Sequence, residues 1–297
     1  MRARRLLVPA AALVLAIGAC GDGPSGAEGS AAGRDAAGQD EAAPATPATT
    51  AAPVPATTPA TVPAPDRPDW LGTRVLPTGP DGTAAGQPTP PELDPRRIPT
   101  VDLLPPPADG AFHGTVDAVP PDVVARSTWQ AACPVALGDL RYVTVSFWGY
   151  DDRPHTGELL VEQGSAEGLT RVFERLFAAR YPIEEMRITS PAELDAPPTG
   201  DGNNTSAFVC RPTRGSTTWS QHAYGLAVDV NPFANPYVKG DRVLPELATS
   251  YQDRANLRPG MIVAGDQVVD AFADIGWEWG GAWGSPIDTM HFSRDDR

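Results

Sequence analysis

Between Ala43 and Pro65 the chain reads APATPATTAAPVPATTPATVPAP, a run made of Ala, Pro, Thr and Val alone. Such a run has no large apolar side chains to offset the entropy of ordering it, and its prolines remove backbone donors. It therefore cannot be part of a packed core. The same Ala, Pro, Thr, Gly and Asp bias extends from Gly21 to about Pro107 and holds many of the 34 prolines and 29 glycines. Residues 20–108 are accordingly expected to be a disordered stalk with polyproline character, its span on the order of 50 Å or more. What remains, 109–297, is about the length of one domain.

Ahead of the stalk stands MRARRLLVPAAALVLAIGAC, with three arginines, an apolar stretch from Leu6 to Ile17, then small residues and Cys20. This is the pattern of a secretory signal over residues 1–19, and its apolar core is too short for a permanent membrane span. The ending Ile17-Gly18-Ala19-Cys20 resembles the bacterial lipobox. That resemblance implies lipidation of Cys20 and an anchor on the outer face of the cell membrane, with the domain reaching into the wall. Ordinary secretion after cleavage at Ala19 is the alternative. Either route leaves Cys133 and Cys210 as an even pair in an oxidising compartment, for which a disulfide is expected. Two buried free thiols are the competing reading, because sequence does not show how close their Cα atoms come.

A net charge of −14 and a single lysine, Lys239, argue against a nucleic-acid partner, which would need clustered Lys and Arg. The chain is expected to act as a monomer. Within the domain, RYVTVSFW (Arg141–Trp148) alternates in the manner of a strand, and Glu158–Glu162, Met186–Thr189 and Ala227–Val230 are further strand candidates. Leu169, Val172, Phe173, Leu176 and Phe177 fall at helical spacing, with Ser165 placed as N-cap and Pro182 as a stop. A second helix is predicted around Val268, Val269, Phe272 and Ile275, capped by Asp266 and ended at Gly276. Strands and helices without a βαβ rhythm indicate an α+β domain.

Two of the four histidines carry motifs: SQHAYGLAVDVNP holds His222 and Asp229, and IDTMHF holds Asp288 and His291. A catalytic zinc site needs three His, Asp or Glu ligands and a fourth position open to water, a count that His222, Asp229 and His291 supply. A further carboxylate must accept the proton of the attacking water, and Asp288, three residues before His291, is the candidate. Chemistry alone leaves this open. A solitary histidine is more often a core or surface residue, and the seven-residue spacing of His222 and Asp229 would place them on opposite faces of a regular strand. His222 would then have to sit on the loop entering the strand that carries Asp229.

Taken together, SxHxxGxAxD (Ser220, His222, Gly225, Ala227, Asp229), GWxWGGxW and DxMHF resemble the VanY-like D-alanyl-D-alanine carboxypeptidases, a superfamily that includes L-alanyl-D-glutamate peptidases. His155-Thr156-Gly157-Glu158, the segment NNTSAF at 203–208, and Cys210-Arg211 are similar to landmarks of one branch, so the resemblance spans roughly 155–293. It implies a small antiparallel sheet with flanking helices, the zinc fold shared with hedgehog domains, and a zinc peptidase acting on peptidoglycan stem peptides. Transferred residue by residue, His222, Asp229 and His291 bind Zn2+ and Asp288 is the general base, with Glu278 as second choice. Arg211 is assigned to the substrate carboxylate or the charge developing on the attacked carbonyl, with Arg187 and Arg214 as alternatives. Ser220 is assigned to the substrate or to supporting the first ligand, or else it is a turn hydroxyl. His155 is read as structural or as a partner of a ligand. A non-catalytic zinc-containing wall-binding or signalling domain of the same fold is the competing function.

Overall fold

The computed structural model describes residues 67–295, and each element follows from a short local pattern. The signal segment, Cys20 and the first part of the stalk lie outside the described residues. In chain order the elements are β1 (Gly114–Ala118), α1 (Pro121–Arg126), β2 (Leu140–Trp148), β3 (Pro154–Glu162), α2 (Ala166–Ala178), β4 (Glu185–Met186), α3 (Pro191–Leu194) and β5 (Asn204–Thr205). They continue with β6 (Ala227–Asp229), β7 (Tyr237–Lys239), β8 (Arg242–Leu244), α4 (Gln267–Ala273), β9 (Glu278–Trp279), β10 (Ile287–Asp288) and β11 (His291–Ser293).

The alternating run expected at Arg141–Trp148 forms β2, the middle of an antiparallel sheet ordered β1-β2-β3. The candidate strand at Glu158–Glu162 is longer than expected and begins at Pro154, because a proline can open a strand where its missing N–H is not needed. Helix α2 lays Leu169, Val172, Phe173 and Leu176 onto this sheet, and α4 joins the same core through Val268, Ala271 and Phe272. Asp266 caps α4 as expected, its side chain accepting from the N–H groups of Val268 and Val269 (2.9 and 3.0 Å). Ser165 stands at the N-cap position of α2 but makes no side-chain cap bond.

The strand expected at Met186–Thr189 ends at Met186. Asn204 takes over the backbone there, its side-chain amide accepting from Arg187 N–H and donating to Arg187 carbonyl, both at 3.0 Å. In place of one small antiparallel sheet there are three three-stranded antiparallel sheets and one parallel pair among the described residues. The strands after Glu162 are only two or three residues long, interrupted by Gly and Pro, so they pair in small groups. Helices mixed with small antiparallel sheets are compatible with an α+β fold.

The stalk boundary at 108 is corrected by the packing of residues 67–108. Leu71, Leu76, Leu93 and Ile98 are buried against Phe233, Leu247 and Tyr251 in a second apolar cluster. Arg96 is buried as well, its Nε and Nη2 donating to Glu184 at 2.5 and 2.7 Å, while Tyr251 accepts from the Arg96 N–H and donates to the Leu93 carbonyl. Average composition hides this arrangement. Four aliphatic anchors and one paired arginine suffice when the rest of the domain supplies the groove, so a proline-rich segment can be ordered without a core of its own.

Cys133 and Cys210 are joined by a disulfide. It ties the segment after α1 to the stretch that carries Arg211, beside a third apolar cluster containing Val123, Leu140, Leu160 and Phe208.

Candidate metal centre

Strand pairing brings the first two candidate ligands together. In the sheet ordered β6-β11-β9, Asp229 and His291 are direct cross-strand partners, so their side chains share a face. His222 arrives from a 3-10 turn, Gln221–Tyr224, just ahead of β6. The turn ends at Gly225 in the left-handed region (φ 72°), where an added Cβ would stand 2.6 Å from the Glu162 nitrogen and 3.0 Å from the Val161 carbonyl carbon. Only glycine permits that approach, and through it the chain reverses quickly enough for His222 to face Asp229. His222 thus enters from outside the strand, as its spacing from Asp229 requires.

The three residues offer one ligand atom each, all within 4.8 Å of one another. His222 Nδ1 lies 2.6 Å from the Ala207 carbonyl, which holds the ring with its N–H on that nitrogen and presents Nε2 to Asp229 Oδ2 at 3.3 Å. His291 Nδ1 is 3.1 Å from Asp229 Oδ1. Ligand atoms about a tetrahedral zinc with bonds of about 2.0–2.1 Å stand roughly 3.3 Å apart; the donor types suit such an ion, and the separations of His222 and His291 from Asp229, 3.3 and 3.1 Å, are close to that spacing. The ring of Trp283 lies 5.4 Å from that of His291 and walls one side.

Electrostatics divide the two aspartates. Burial works against ionisation of Asp229, but His222 and His291 outweigh it and hold this carboxylate well below its usual range. At Asp288 burial is again the largest influence, the Asp229 charge adds to it, and His291 and Arg211 offset only part. The carboxyl is pushed up to about 7. Its Oδ1 is out of contact with solvent and has no hydrogen-bond partner.

Arg211 is mainly desolvated, which lowers its pKa. Arg214 works in the same direction, and the opposing pull of Asp229 and Asp288 places its charge at this cluster. Its guanidinium donates only to the Pro212 carbonyl (3.2 Å) among the described residues. Arg187, by contrast, is engaged by Glu185 and Glu193. Ser220 takes the turn role: its hydroxyl accepts from the His222 N–H at 3.4 Å. His155 is held away from the ligands, between Asp102 and Asp151 at 2.8 and 3.0 Å. Glu278 is exposed on β9, opposite Ser293.

Residues 214–294 match a peptidase family described as D-alanyl-D-alanine carboxypeptidase. The matched span contains the 3-10 turn, β6, β10 and β11, and with them His222, Asp229, Asp288 and His291; Arg211 and everything before it lie outside. The match agrees with the resemblance to the VanY-like enzymes and points to a hydrolase related to peptidoglycan. No curated protein and no solved structure matches the chain.

Sequence reasoning missed three contributors. The Ala207 carbonyl that orients His222 carries no side-chain signal. Of the tryptophans in GWxWGGxW, only Trp283 stands beside His291, whereas Trp277 is buried in the main core and Trp279 donates to the Thr289 carbonyl (2.9 Å). Tyr237 is the cross-strand partner of Asp288, a relation only the register reveals.

Proposed function

We propose that the chain is a zinc-dependent peptidase that hydrolyses peptide bonds in peptidoglycan stem peptides, of the D-Ala-D-Ala carboxypeptidase or L-Ala-D-Glu endopeptidase type. The observation that carries this reading is the convergence of His222, Asp229 and His291 on one point, beside half-buried Asp288, whose Oδ1 is shielded from solvent and has no hydrogen-bond partner among the described residues. The raised proton affinity of this carboxyl suits exchange near neutral pH. The reading also takes the domain to have the hedgehog/D-Ala-D-Ala peptidase type of zinc fold, held to the outer membrane face through lipid on Cys20.

In this reading His222 Nε2, Asp229 and His291 hold the metal. Bound there, zinc would acidify a water toward a pKa of ~7 and polarise the scissile carbonyl. Asp288 takes a proton from the attacking water as the new C–O bond forms, and returns it to the amine nitrogen as the C–N bond breaks. Arg211 faces the oxygen on which negative charge develops. The Ala207 carbonyl prevents the His222 ring from turning over and keeps its Nε2 toward Asp229.

The test is incubation of the zinc-loaded protein with purified muropeptides, followed by mass spectrometry. Loss of one alanine identifies a carboxypeptidase, and separation of the Ala–Glu bond an endopeptidase. If no muropeptide is altered the proposal fails, and a non-catalytic zinc domain becomes the better description.

A further inference from the structure

We infer that Tyr237 is a substrate-binding residue, whose hydroxyl donates a hydrogen bond to an oxygen of the peptide bound beside Asp288. The inference rests on the peptidase reading above and adds a residue that neither the motif nor the donor set contains.

The placement follows from register. β7 lies between β10 and β8, and within it Tyr237 is paired directly with Asp288. Residues opposite one another in an antiparallel ladder project to the same side, their Cβ atoms about 4.5–5.5 Å apart. Asp288 lies near enough to Asp229, His291 and Arg211 to feel their charges, and Tyr237 shares its face of the sheet. The pairing is held firmly: Thr289, next to Asp288, donates its hydroxyl to the carbonyl of Pro236, next to Tyr237, at 3.1 Å.

Packing does not account for this tyrosine. It is half-buried and belongs to none of the three apolar clusters. Among the described residues its hydroxyl has no hydrogen-bond partner, unlike Tyr142, Tyr181 and Tyr251, each of which bonds within the chain. Partial burial, then the neighbouring Asp288 charge, raises its pKa above the ordinary tyrosine value, so at neutral pH it is an O–H donor. The bonding groups at this site are thus of two kinds. The carboxyl of Asp288 serves the proton, whereas Tyr237 and the guanidinium of Arg211 are donors, complementary to the carbonyl and carboxylate oxygens of a peptide.

The experiment compares the wild-type protein with Tyr237→Phe, which keeps the ring and removes only the hydroxyl. Loss of a donor to a substrate oxygen should lower kcat/KM on a cleaved muropeptide by about ten- to hundredfold. The loss should fall on KM, because the donor meets the substrate before reaction, with thermal unfolding unchanged. A second arm uses calorimetry with the dipeptide D-alanyl-D-alanine on zinc-loaded Asp288→Asn protein, with and without Tyr237→Phe, so that binding is read without turnover. An affinity about tenfold or more weaker in the phenylalanine variant supports the assignment. Equal affinity together with equal KM overturns it, as does failure of the dipeptide to bind either protein. If wild type cleaves no muropeptide while the dipeptide still distinguishes the variants, the peptidase proposal falls and the Tyr237 contact stands.

Discussion

Replacing the proposed base should make the metal-free protein more stable while abolishing turnover. The carboxyl of Asp288 has an ordinary value of 3.8 and is pushed up to about 7, chiefly by burial and then by the charge of Asp229. A folded-state pKa above the unfolded one means that the native state holds its proton more tightly. The stability contributed by the protonated form is complete below about pH 4 and disappears as pH rises through about 7. Roughly three units correspond to a ceiling of about 4 kcal/mol. Asp288 is half-buried rather than sealed from water, so a penalty of about 1–3 kcal/mol above pH 7.5 is the working expectation. In Asp288→Asn the shape is kept and nothing titrates. Urea unfolding in the presence of a chelator should therefore give equal stabilities for wild type and variant near pH 4, diverging in favour of the variant by about 1–3 kcal/mol at pH 8. Using the difference between the two proteins removes the titration of every other group they share. Zinc should narrow the gap, because a cation beside Asp288 favours its ionised form. A variant no more stable than wild type at pH 8 would refute the account of Asp288 as a strained, uncompensated carboxyl.

Arg96→Ala should cost about 3–5 kcal/mol in urea unfolding, because it leaves Glu184 buried without its ion partner. A cost under ~1 kcal/mol would mean that residues 67–108 are not a structural part of the domain. Gly225→Ala combines a positive φ with contact against the backbone at Glu162, so a loss of about 1–3 kcal/mol should accompany weaker zinc retention, measured by elemental analysis after dialysis. Unchanged metal content would separate the turn from the ligand geometry. The disulfide closes a loop with a sequence separation of 77, so Cys133→Ser with Cys210→Ser should destabilise by about 4–5 kcal/mol on the chain-entropy account, read from denaturant midpoints.

Much of the candidate site was legible before any coordinates, because ligand chemistry is written in residue types. Few histidines were available, and two of them lay in short motifs with an aspartate nearby. The helices were legible for a similar reason: α2 and α4 each carry a full apolar face, and amphipathic spacing survives whatever they pack against. Short strands were not. β4 stops where a side-chain amide replaces its ladder, and nothing in Met186–Thr189 announces that Asn204 will do so.

The stalk shows where composition misleads. A window average treats Leu71, Leu76, Leu93 and Ile98 as too sparse to order their segment, and by themselves they are. Their burial depends on a groove made by Phe233, Leu247 and Tyr251, more than a hundred residues later, and no local count contains that partner. The same distinction governs the site. Sequence alone nominated His222, Asp229 and His291 as ligand candidates, and Asp288 ahead of Glu278 as the carboxyl to move a proton, through residue types and the resemblance of their motifs. Tertiary structure decided that the Nε2 of His222 and the Nδ1 of His291 both face Asp229. It also decided that Arg187 is paired with Glu185 and Glu193 while Arg211, among the described residues, donates only to the Pro212 carbonyl, and that Tyr237 stands beside Asp288. Register, burial and ring orientation are settled only when distant segments meet, and each of those choices depends on them.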